Sequence, residues 1–151
     1  MANRSYLYGT NFVPSPEGVK EHRRIVGISE WNYDIPIAFK LLLSGNPNKC
    51  RSLLWDVPEE IALVGDYERG VASLFRFLDR ISLSEIVSLR EEARQFLTSE
   101  NNKSRYFVLE CGEIFQMEDQ APSFHNERLL AEIQRVEAAA ESILAELSQQ
   151  H

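Results

Sequence analysis

Carboxylates beside apolar residues are the first candidates for chemistry in this chain. Asp34, Asp66, Glu68, Glu110 and Glu113 sit next to apolar or aromatic residues near the ends of expected elements. A buried carboxyl has a raised pKa and can act as a general acid or base. Asp34 and Asp66 have a simpler reading as helix N-caps. Glu110 and Glu113 read as flanks of a surface hairpin. Cysteine chemistry would need Cys50 or Cys111 beside His22 or His125. Cys111 lies among Glu110 and Glu113, which favour the neutral thiol over the reactive thiolate. Both cysteines read as small buried apolar side chains. There is no G-x-S-x-G elbow, so no catalytic residue is assigned.

Cofactor and metal motifs are missing as well. No G-x-x-x-x-G-K-[ST] and no G-x-G-x-x-G is present, and no cofactor is expected. The histidines, His22, His125 and His151, form no H-E-x-x-H. The cysteines form no C-x-x-C, and no metal site is expected. What remains is binding. Glu30, Trp31, Asn32 and Tyr33, with Trp55, lie near the densest apolar stretch in expected loop or end positions. Tryptophan and tyrosine are enriched at protein–protein hot spots. These five residues are the candidate partner-binding set; the rival reading has the aromatics roofing the core.

Charge narrows the partner. Residues 1–54 carry 7 Lys and Arg against 4 Asp and Glu, whereas residues 55–151 carry 9 against 19. A net charge of -7 opposes binding to a phosphate backbone and suits a basic protein partner. No apolar run approaches the length of a membrane span, and the N-terminus has no apolar signal core. The cytoplasm is the expected compartment. With 151 residues, a single domain over 1–151 is expected.

The elements that must position these residues follow from pattern. Arg4–Tyr8 reads as a first strand and Ile25–Ile28 as a second. Asn11–Arg24, broken by Pro14, Pro16 and Gly18, reads as a loop. Asp34 and Pro36 open a buried helix over Ile35–Leu43, closed by Gly45. Asn46 and Pro47 then start a short second helix to about Leu54. That pair invites a helix-turn-helix reading, which the charge opposes. Ile61–Asp66 reads as a buried strand. The helix after it has Val71, Leu74, Phe75 and Leu78 on one face. Ser82 and Glu85 have capping-box spacing, and the next helix buries Ile86, Leu89, Ala93, Phe96 and Leu97. Arg105–Glu110 and Glu113–Met117 flank Cys111-Gly112 as a hairpin, or as one strand bulged at Gly112. A last helix runs from about Asn126 to Ser148. Its stripe of Leu129, Ile133, Val136, Ala140, Ile143 and Leu147 has heptad rhythm, which fits packing within the domain or a homodimer contact. The sum is an α+β domain, mostly helical, with a small sheet of short strands and a long C-terminal helix.

Three stretches carry a resemblance. MANRSYLY, GISEWNYDIP and FVLECGEIF resemble a small bacterial domain family of unknown function, over most of the chain. Size, acidity and the lack of catalytic motifs are also similar to immunity proteins of interbacterial toxin systems. That likeness implies a non-enzymatic cytosolic binding protein that covers a basic toxin. The alternatives are a small enzyme using pocket carboxylates and a homodimeric structural protein.

Overall fold

The computed structural model describes residues 3–16 and 23–150. Gly18, Lys20, Glu21 and His22 of the expected loop, and His151, lie outside the described residues. Strand β1 (Arg4–Thr10) and strand β2 (Ile25–Asn32) are followed by helix α1 (Ile37–Leu42) and strand β3 (Asn48–Cys50). Strand β4 (Ala62–Asp66) leads into helices α2 (Tyr67–Leu78) and α3 (Ser84–Thr98). Strand β5 (Tyr106–Glu110), the single-turn helix α4 (Gly112–Phe115) and helices α5 (Pro122–Gln134) and α6 (Val136–Gln150) complete the order.

The five strands form one antiparallel sheet in the order β2-β1-β5-β4-β3. Side chains alternate across a sheet, so register sorts residues by face. Leu7, Leu63, Phe107 and Leu109 share a core with the helices, while Ala62, Val64, Val108 and Cys50 form a smaller cluster. One cross-strand row runs Glu30, Tyr6, Glu110, Ala62, Cys50. The α+β class, the small sheet and the helical majority agree with the pattern reading.

Close packing decides how the helices sit. Gly70 of α2 lies directly against the Leu42 carbonyl, where any Cβ would collide with it. Leu74, Phe75 and Phe77 of α2 are buried; of the expected stripe, Val71 and Leu78 are only partly so. The Asp66 backbone occupies the N-cap position of α2, yet its side chain makes no capping bond. Its carboxylate sits 3.7 Å from Arg69 Nε instead.

Several local expectations are corrected. The N-cap of α1 is Pro36 rather than Asp34, and the helix spans six residues. The expected helix after Pro47 is strand β3, because Asn48–Cys50 pairs with Ala62–Val64. Asn46 has a φ of 54°, a left-handed turn rather than the extended backbone of an N-cap. The second arm of the expected hairpin is helix α4. The long C-terminal helix breaks at Arg135 into α5 of 13 residues and α6 of 15 residues. Leu129, Ile133, Val136 and Ala140 of its stripe are buried inside the domain. Helix α3 is less buried than its pattern implies, with Leu97 enclosed but Leu89 and Phe96 exposed.

Candidate functional site

Among the described residues, strand β2 pairs with β1 on one side and has no strand on the other. Its last residues carry the candidate binding set. Trp31 is 56% exposed and Tyr33 is 59% exposed, so these two rings do not roof the core. The corner is nonetheless tied down. The Tyr33 N–H donates to the Asn3 carbonyl at 2.6 Å, and the Ser5 hydroxyl donates to the Asp34 carbonyl at 2.7 Å. Tyr33 has a φ of 63°, a conformation that costs a non-glycine residue about 1 kcal/mol. The turn follows the end of the strand and leaves the ring exposed.

The candidates divide between the two sides of the sheet. Trp31 pairs with Ser5 and shares the parity of Leu7, which faces the helices. Glu30 pairs with Tyr6 and holds Arg4 at 3.2 Å. Asn32 is exposed opposite Arg4. Trp55 is half-buried, and its indole covers Gly112 so closely that a Cβ there would lie 2.6 Å from Nε1. The loop that carries Trp55 bonds to Glu110, which has the parity of Tyr6. Trp31 and Trp55 therefore do not form one patch.

Glu110 departs most from its expected place. Instead of flanking a surface hairpin it is 1% exposed at the end of β5. Its Oε1 accepts from the Ser52 hydroxyl at 2.6 Å and its Oε2 from the Leu53 N–H at 2.6 Å. Burial pushes the Glu110 pKa up, and these two bonds pull against it. Ser52 Oγ in turn accepts from the Leu54 and Trp55 N–H groups, each at 3.0 Å. The carboxylate thus organises the 52–55 loop. Its shared parity with Tyr106 and Val108 is the sequence signal that could have placed it inward.

The other carboxylates serve the sheet rather than a pocket. Glu113 accepts from the Arg4 N–H at 3.1 Å and the Tyr6 hydroxyl at 2.8 Å, fastening α4 to β1. That bond, with burial, raises the Tyr6 pKa. Asp34 is exposed just past β2, Asp66 ends β4 beside Arg69, and Glu68 is exposed on α2. Asp34 follows β2 and Asp66 ends β4, with β1 and β5 lying between those strands, so these two carboxylates do not converge.

Both cysteines are 1% exposed, and burial raises both thiol pKa values, the reverse of a reactive thiolate. His125 is buried, its ring stacked on Phe115 at 5.6 Å, with Nδ1 3.8 Å from Glu118. Among the described residues no group of three His, Cys, Asp or Glu could hold a metal ion. Among them, no helix is long and apolar enough to cross a membrane.

No curated protein and no solved structure matches the chain. A family model matches residues 11–150, covering β2 with its aromatic corner, the Glu110 loop and every helix of the fold. The chain belongs to that family, described as Domain of unknown function (DUF7822).

Proposed function

We propose that this chain is a non-enzymatic protein-binding domain whose partner docks along the free edge of β2 and on the Trp31–Tyr33 corner. The observation that carries this reading is the joint exposure of Trp31 and Tyr33 at the end of an edge strand. Burying a ring of that size contributes about 2 kcal/mol, which the folded monomer leaves unrealised. Two rigid aromatics on a strand whose outer edge no other described strand pairs suit strand addition, where the backbone gives affinity and side chains give specificity. Glu30 and Asp34 flank the corner, and the chain carries a net charge of -7. A basic protein is the complementary partner, and a toxin neutralised by having its active site covered is the class we favour. The carboxylate enzyme loses support, because Asp34 and Asp66 sit at strands separated by two others and Glu110 is occupied in holding its own loop.

The test is direct binding of the neighbouring gene product to the wild type and to a Trp31→Ala/Tyr33→Ala double variant. A loss of about thirtyfold or more with unchanged Tm supports the reading. Equal affinity of the two proteins overturns it.

A further inference from the structure

The groove between α1 and the α5–α6 arm has charges that the rest of the arm does not explain. It encloses about 650 Å³, within the range of small-molecule sites. Its floor is apolar, formed by Ile37, Val136, Ala139 and Ile143, and its rim carries Lys40, Arg128 and Arg135 together with Glu132, whose charge Lys40 offsets, so that the rim is net positive. The arm itself is acidic, and four of its glutamates are matched by cations on other elements. Glu127 meets Lys49 at 3.0 Å, Glu132 meets Lys40 at 3.1 Å, Glu137 meets Arg76 at 3.4 Å, and Glu141 pairs with Arg80. Its two arginines are not matched in this way. Arg128 touches only the ring of Phe124, at 5.8 Å, and Arg135 has no ion pair or side-chain hydrogen bond among the described residues. They stand seven positions apart, Arg128 on α5 and Arg135 at the break before α6, and both line the groove.

We infer that this groove binds an anionic amphiphile of the medium-chain carboxylate class. The carboxylate head lies between Arg128 and Arg135, where planar guanidinium groups offer paired N–H donors. The alkyl tail lies over Val136, Ala139 and Ile143. From Val136 to Ile143 the floor runs about 10 Å at the helical rise of about 1.5 Å per residue, the span of a medium-length alkyl chain. An amphipathic helix needs anchors over two full turns or more with flanking contacts, and this floor is too short to seat one. The site lies on the helical side of the fold and does not depend on the β2 edge.

Decanoate, below its micelle threshold, is the probe, with decanol and decyltrimethylammonium as matched controls. Calorimetry and backbone amide shifts read the outcome. The expected result is saturable binding of decanoate alone, with shifts at Ile37, Ala139 and Ile143. Arg128→Gln/Arg135→Gln should weaken it at least tenfold with unchanged Tm, since both side chains are exposed. Ala139→Trp, at an exposed position, should fill the groove and abolish binding. Several results would overturn the inference: no saturable decanoate binding, equal binding of the uncharged or cationic control, or indifference to the double variant. It also fails if the groove instead takes an acidic amphipathic peptide, or a second copy of the chain through a dimer that the same arginine changes dissolve.

Discussion

The hydroxyl of Ser52 donates to Glu110 Oε1 at 2.6 Å, and this bond joins the loop after β3 to the end of the central strand β5. Ser52 is itself the acceptor for two loop N–H groups, so the carboxylate fixes the backbone of residues 52–55. Replacing Glu110 with alanine leaves the Ser52 hydroxyl and the Leu53 N–H without their acceptor. Denaturant unfolding should show a loss of about 2 kcal/mol. A variant within 0.5 kcal/mol of wild type would show that the loop is held otherwise.

The same group sets a pH dependence. Burial raises the Glu110 pKa in the folded state, so the native protein binds this proton more tightly than the unfolded chain. Its contribution is fully present below the unfolded carboxyl value, about 4.3, and is lost as pH rises through the folded value. Glu110→Gln removes that titration. The difference in stability between wild type and variant should shift in favour of the variant as pH rises from about 4, read from unfolding midpoints across the range. A pH-independent difference would contradict the burial argument.

Gly70 is the contact point of α2 with the end of α1. Gly70→Ala drives a methyl group into the Leu42 carbonyl, a backbone atom that moves only with its helix. Thermal unfolding should report a destabilisation of about 3 kcal/mol, against the gain of up to about 1 kcal/mol that alanine gives in an open helix. A raised Tm would mean that the two helices sit further apart than described.

Tyr33 separates docking from folding. Glycine accepts a φ of 63° without the steric cost that tyrosine bears. Tyr33→Gly should leave stability within about 1 kcal/mol of wild type, because the relief offsets the added freedom of the unfolded chain. Partner affinity should fall all the same. Loss of stability with intact binding would show that the ring serves the fold.

Cys50 and Cys111 should resist a thiol reagent. Both are 1% exposed with thiol pKa values pushed up by burial. Labelling at pH 8 should follow the global unfolding rate and accelerate only with denaturant. Fast labelling of either thiol in the native protein would place it at the surface.

Pattern revealed the strands and helices whose neighbours share their preference. The Ala62–Asp66 strand and the helix after it were legible because apolar run, turn and periodicity agree. Strand β3 was not, since three residues gain a strand's geometry only by pairing with β4. Gly112–Phe115 reads as strand until the contact of Glu113 with Tyr6 and Arg4 is known. The exposure of Trp31 depends on β2 being an edge, a property of strand order that no local stretch encodes. Arg128 and Arg135 drew no notice in the sequence, because their lack of partners is a tertiary fact.

Strand order also governs how the chain is born. Tyr6 and Glu113, bonded in the finished sheet, stand 107 positions apart. Strand β1 leaves the ribosome before its central neighbour β5, which is synthesised on the order of ten seconds later at ordinary translation speeds. Meanwhile β2 alone can cover the aromatic nascent strand. Until then the side of β1 that β5 will occupy stays unpaired, and the sheet closes only when synthesis has passed residue 110.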